Sequence, residues 1–70
     1  MSRSNWVYLE RCEIVHETDR AMLINYDGNK IWVPKSQINE LDRLDVGDTN
    51  VTVPISRWFA EKEGIDGEDS

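Results

Sequence analysis

The chain holds one cysteine, Cys12, and one histidine, His16. A lone cysteine closes no internal disulfide. Joined by a single imidazole, it makes no standard metal site of nitrogen and sulfur ligands. No metal and no cofactor are therefore expected. Glycine is scarce and scattered: Gly28, Gly47, Gly64 and Gly67 stand alone. That pattern contains no P-loop and no dinucleotide fingerprint, and no nucleophile elbow is present. Long apolar runs are missing as well. The most apolar stretch, Ala21 to Tyr26, is far too short to cross a bilayer. The first five residues, Met1 to Asn5, carry one arginine and no apolar run. No secretory signal is expected, and a cytoplasmic home is the simple reading.

An excess of positive charge is also absent. The formal net charge is −6. Residues 61–70 set five carboxylates against Lys62, a net −4, and leave about −2 on the rest of the chain. A mildly acidic body argues against generic affinity for duplex nucleic acid. With 39% hydrophobic and 31% charged residues, the composition is that of a folded domain. Seventy residues allow one small domain with a modest core. We assign it to residues 1–65. The remainder, 66–70, has no apolar side chain and is expected to be an acidic disordered tail.

What is present is mainly β pattern. Trp6 to Thr18 is rich in β-branched and aromatic residues, but its apolar positions mix two parities. A long strand with a bulge or bend accounts for the mixture. Ala21 to Tyr26 reads as a central strand buried on both faces. Asp27-Gly28 is a hairpin turn signal, and Lys30 to Val33 is the return strand. Pro34 cannot donate to a ladder and stops that strand. Lys35 to Ile38 then makes one tight helical turn. Asn39 to Asp48 is a polar loop anchored by Leu41, Leu44 and Val46. Thr49 to Ile55 alternates, with Val51, Val53 and Ile55 on one face, and Pro54 marks an end or an edge. Ser56 to Glu63 is a short helix with Ser56 as N-cap. Gly64 and Ile65 suit a Schellman ending. So short a helix needs packing to persist, which Trp58 and Phe59 are expected to supply. The predicted fold is α+β and mainly β: a four-stranded antiparallel curled sheet or small open barrel with one C-terminal helix.

Catalytic groups do not assemble on this scaffold. Cys12 and His16 sit four strand positions apart, roughly 13 Å, too far for a nucleophile–base pair. Cys12 reads as a small buried apolar residue and His16 as a surface residue. Asp42, Asp45 and Asp48 lack the alternate spacing and terminal glutamate of a calcium loop. No enzyme is expected. Aromatics carry the better signal. Trp32 lies between Ile31 and Val33, which must point to the opposite face. With Ile31 and Val33 inward, Trp32 becomes an exposed platform beside Lys30 and Lys35. With Trp32 inward, the platform disappears. Burial is the first expectation, and the sequence leaves the face undecided.

Two separated segments resemble a known group. Ala21-Met-Leu-Ile, Asp27-Gly28 and Trp32-Val-Pro-Lys-Ser-Gln-Ile38 are followed by Trp58-Phe-Ala-Glu-Lys-Glu-Gly64. Together they resemble a family of small proteins encoded by bacteriophages and prophages. The match spans about residues 8–65. The resemblance implies a phage or prophage accessory protein acting in the host cytoplasm, often encoded among replication and recombination genes. It carries over no catalytic residue.

The expected activity is non-enzymatic binding of a host or phage protein, with inhibition of a defence or replication factor as its use. The binding residues are Trp32, Lys35, Gln37, Lys30 and Tyr26, a set in which an exposed tryptophan serves as hot spot. The alternative is a single-stranded nucleic-acid module that stacks bases on Trp6, Tyr26 and Trp32 beside the lysines. A homodimer by sheet-edge pairing is a further expectation.

Overall fold

The computed structural model describes residues 5–65 and 68–69. The elements run β1 (Trp6–Glu17), β2 (Ala21–Tyr26), β3 (Asn29–Pro34), 3₁₀ turns at Lys35–Gln37 and Leu41–Arg43, β4 (Val51–Ser56), α1 (Arg57–Glu63) and β5 (Glu68–Asp69). Four antiparallel strands lie in the order β3-β2-β1-β4, and β5 pairs with β1. The sheet does not close, since β3 and β4 do not pair. A single bridge, Ile38 with Ile55, and the Asn39 N–H donating to the Pro54 carbonyl at 2.9 Å lean the chain after β3 onto the outer edge of β4. The fold is thus the mainly β, α+β arrangement expected from the sequence, as an open curled sheet.

The long first strand explains the curl. Its early half pairs with β4, Val7 opposite Ile55 and Leu9 opposite Val53. Its later half pairs with β2, Glu13 opposite Asn25 and Ile14 opposite Ile24. Between Leu9 and Cys12, β1 spends one residue more than its partner, and Arg11 adopts a left-handed φ of 58°. This is the bulge read from the mixed parity. Before it the buried residues are Val7 and Leu9; after it they are Cys12 and Ile14. A second irregularity falls between Ile14 and His16 and turns His16 outward. Cys12 and His16 consequently lie on opposite faces, one buried and one exposed.

The β2–β3 hairpin turns through Asp27 and Gly28, with φ of 53° and 81°. Two successive positive values are the mark of a type I′ turn. Tyr26 pairs with Asn29, Ile24 with Ile31 and Met22 with Val33. At β4, Pro54 fits because a residue's N–H and C=O point to the same side of a strand. Its carbonyl faces the outer edge toward Asn39, so the missing donor costs no ladder bond with β1. The helix begins at Ser56, whose Oγ accepts from the Phe59 N–H at 3.1 Å. It ends with the Ile65 N–H donating to the Ala60 carbonyl at 2.8 Å and Gly64 at φ 70°. This is the Schellman closure anticipated from Gly64-Ile65.

Thirteen apolar side chains form one core, drawn from β1 to β4, α1, Ile38 and Leu44. Four expectations need correction. The second strand buries Met22 and Ile24 only, with Leu23 half-exposed, because no described element covers its outer side. Trp58 is 62% exposed: α1 turns Phe59 and Ala60 inward, and Trp58 instead lies under the Lys62 ammonium, 5.0 Å from its ring centre. Val46 is 48% exposed, since the loop docks on β1 through backbone, Gly47 N–H to the Ile14 carbonyl at 2.8 Å. Trp32 is 48% exposed, because Val33 takes the inward position opposite Met22. Within the acidic tail, expected to be disordered, Glu68–Asp69 pair with Tyr8 and Val7 of β1, on backbone left open where β2 ends. The rest of the tail lies outside the described residues.

The bulge generates a prediction. Arg11 is exposed, yet a β-branched residue resists its left-handed backbone. Arg11→Val should lower unfolding free energy by about 1–2 kcal/mol in urea titration, while Arg11→Gly should leave it near wild type. Equal stability of the two variants would remove the bulge from the account.

Candidate functional site

The hairpin puts Trp32 and Lys30 on the outer side of β3, opposite Leu23 and Asn25 of β2. His16 lies opposite Leu23 on the other flank. An outer row therefore runs His16, Leu23, Trp32. The imidazole and the indole meet edge-on, with centroids 6.2 Å apart and planes at 82°. The contact orients the indole while leaving half of it to solvent.

Beside this row lies an open groove of about 600 Å³. One wall is the hairpin tip: Tyr26, Asp27 and residues 29–32. The other is the end of α1: Glu63, Gly64 and Ile65. Half-buried Ile31 and Ile65, both packed against the core, give it an apolar floor. Asp27 and Glu63 border it. A smaller hollow of about 290 Å³ lies near Tyr8, Arg43 and Thr52.

The structure brings together three of the five residues proposed from sequence and separates two. Trp32, Lys30 and Tyr26 meet at the groove. Lys35 does not: its ammonium pairs with Glu17 at 3.2 Å and ties the end of β3 to the end of β1. Gln37 does not either, because its Oε1 accepts from the Ser56 hydroxyl. The 3₁₀ turn swings these side chains away from the β3 edge, one toward β1 and the other toward the helix start. Trp6, grouped with Tyr26 and Trp32 for base stacking, opens β1 opposite Ser56, in the other half of the sheet from Trp32. His16, Asp27, Glu63 and Ile65 were not singled out as site residues. The Schellman pattern did signal Ile65 as a local contact, but the approach of the helix end to the hairpin tip is tertiary and left no local trace.

Among the described residues, no group of three or more side chains could hold a metal ion, and no helix is long and apolar enough to cross a membrane. Cys12 is buried, with its thiol donating to the Leu9 carbonyl at 3.2 Å. Burial pushes the thiol up to about 11, which suppresses the thiolate at neutral pH.

The fold and groove define a class: a mainly β domain with an open sheet edge and an exposed aromatic beside it. Comparison of the chain with protein-family models, with curated proteins and with solved structures finds no match.

Two outcomes follow from these contacts. Ser56→Ala removes both the cap and the Gln37 anchor and should cost about 1–2 kcal/mol, whereas Gln37→Ala should cost less; urea titration of both variants checks the order. For Cys12, the unfolded chain ionises near 9.0 and the folded one near 11. The neutral thiol is favoured by folding, so its stabilisation is intact below pH 9.0 and is lost as pH rises toward 11. Relative to Cys12→Ala, the wild type should lose up to about 3 kcal/mol over that interval, at about 1.4 kcal/mol per pH unit. Parallel stability curves for the two proteins would refute the assignment.

Proposed function

We propose that the chain is a non-enzymatic binding module that docks a protein partner along β3. The observation that carries the reading is Trp32: it is 48% exposed, meets His16 edge-on, and lies on a strand with no outer neighbour among the described residues. A tryptophan in edge contact with a neighbouring ring and half-open to solvent is the kind of side chain around which protein interfaces concentrate their binding energy. The adjoining groove supplies apolar area beside it. Trp32, Lys30 and Tyr26 form the docking set; Lys35 and Gln37 leave it, since each already serves the fold.

The resemblance to small phage and prophage proteins supports a cytoplasmic partner from host or phage, with inhibition of a defence or replication factor as the consequence. The nucleic-acid alternative gains little here. Lys35 is paired with Glu17, and the one lysine of the groove, Lys30, is outnumbered by Asp27 and Glu63, which repel phosphate.

A photo-reactive phenylalanine analogue in place of Trp32 should yield a discrete cross-linked protein in host cells, and the same analogue in place of exposed Trp58 should not. The adduct should be competed by the wild-type chain and not by its Trp32→Ala variant. Identical adducts from both positions would reject β3 as the docking element.

A further inference from the structure

We infer that the partner segment is an extended strand carrying a basic side chain, added to the free edge of β3 with that side chain lying in the groove. The inference rests on the reading of β3 as a docking element and specifies the chemistry of its partner.

The edge geometry follows from the hairpin. In a two-residue hairpin the residues flanking the turn exchange hydrogen bonds, and alternate pairs do the same. Asn29, Ile31 and Val33 therefore bond to β2. The N–H and C=O of Lys30 and Trp32 point away from it. No described residue takes these four groups. They are spaced as an antiparallel or parallel neighbour requires, and strand addition satisfies them without rearrangement. Pro34, lacking an N–H, ends the available ladder.

The groove sets the side-chain chemistry. Ile31 lies on the opposite face of β3 from Lys30 and Trp32, and so on the groove side of the strand. An added strand would place alternate side chains over Ile31 and Ile65, between Asp27 and Glu63. Neither of these carboxylates has an ion-pair partner among the described residues. The one cation of the lining, Lys30, belongs to the outer parity with Trp32. The lining thus sets two carboxylates, Asp27 and Glu63, against the single ammonium of Lys30, over an apolar floor. An arginine or long lysine meets both demands, its methylene stem over the isoleucines and its charge at the carboxylates. The net charge of −6 favours the encounter with a basic segment.

The test uses two eight-residue peptides of alternating threonine and valine, one with a central arginine and one with a central glutamate. Each is titrated into the ¹⁵N-labelled full chain. The arginine peptide should shift the Lys30 and Trp32 amides and slow their hydrogen exchange, and the glutamate peptide should bind at least about tenfold more weakly. Asp27→Asn with Glu63→Gln should bring the two peptides to within about twofold. Asn-Gly retains the type I′ turn, so this variant keeps the hairpin. Equal binding of the two peptides to the wild type, or unmoved Lys30 and Trp32 amides, would overturn the inference. So would a dimer of the chain alone that protects those same amides, because the edge would then belong to a second copy. If the peptides fail while cross-links from position 32 persist, the strand-addition chemistry falls and the docking module stands; if both fail, both fall.

Discussion

The structure depends on β1 being shared by two half-sheets, and on the bulge at Glu10 and Arg11 that makes the sharing work. A strand's side chains alternate, so an unbroken β1 holding Val7 and Leu9 inward would point Cys12 and Ile14 to solvent. One extra residue reverses the parity at the point where the pairing passes from β4 to β2. The left-handed backbone at Arg11 costs about 1–2 kcal/mol. Burying the aliphatic side chains it aligns is worth roughly 1.5–3 kcal/mol each. The exchange favours the bulge, and Arg11, being exposed and unbranched at Cβ, is a tolerable occupant. Nearly everything else hangs from this strand: β2 and β4 on its two edges, β5 where β2 leaves off, and the Gly47–Asp48 loop against Ile14.

The parts of the fold legible in the sequence are those written in short-range chemistry. Asp27-Gly28 specifies its turn because two positive φ values in succession exclude most other pairs. Ser56 and Gly64-Ile65 specify the helix ends because capping is satisfied within five or six residues. The β1 bulge was legible for a related reason, since a parity conflict admits few resolutions. Apolar character was a poorer guide. Trp58 looks like core, yet a seven-residue helix offers the sheet one narrow face, and Phe59 and Ala60 occupy it. Trp58 then finds Lys62 one turn on, an i,i+4 neighbour whose ammonium suits an indole face. Trp32 was undecidable because parity relates it to Ile31 and Val33 without saying which set faces inward. The pairing of Val33 with buried Met22 decides it, and that is a fact of register.

The site residues divide along the same line. Lys35 and Gln37 belong to the segment that first suggests a binding loop, but their partners Glu17 and Ser56 lie 18 and 19 residues away. Such distances are invisible to local pattern. The proline stop and the turn after it hold β1, β3, β4 and α1 in register with one another. On the proposed reading the motif gives its first residue, Trp32, to the docking strand, while Lys35 and Gln37 frame that strand from behind.

A free edge on a small domain invites self-association, so its composition needs a reason. Lys30 sits in the middle of the β3 edge and Pro34 ends it, both devices that discourage indiscriminate pairing. Neither removes the open groups of Lys30 and Trp32. The result is a short edge with Lys30 on its outer side and Asp27 and Glu63 beside it; on the proposed reading the two carboxylates would favour a basic neighbour over an acidic one. On that reading, the acidic net charge that weakens nucleic-acid binding would act in the other direction and favour basic strands. On the same reading, the type I′ turn and the edge-on His16–Trp32 contact would preorganise wall and platform and lower the ordering free energy of docking.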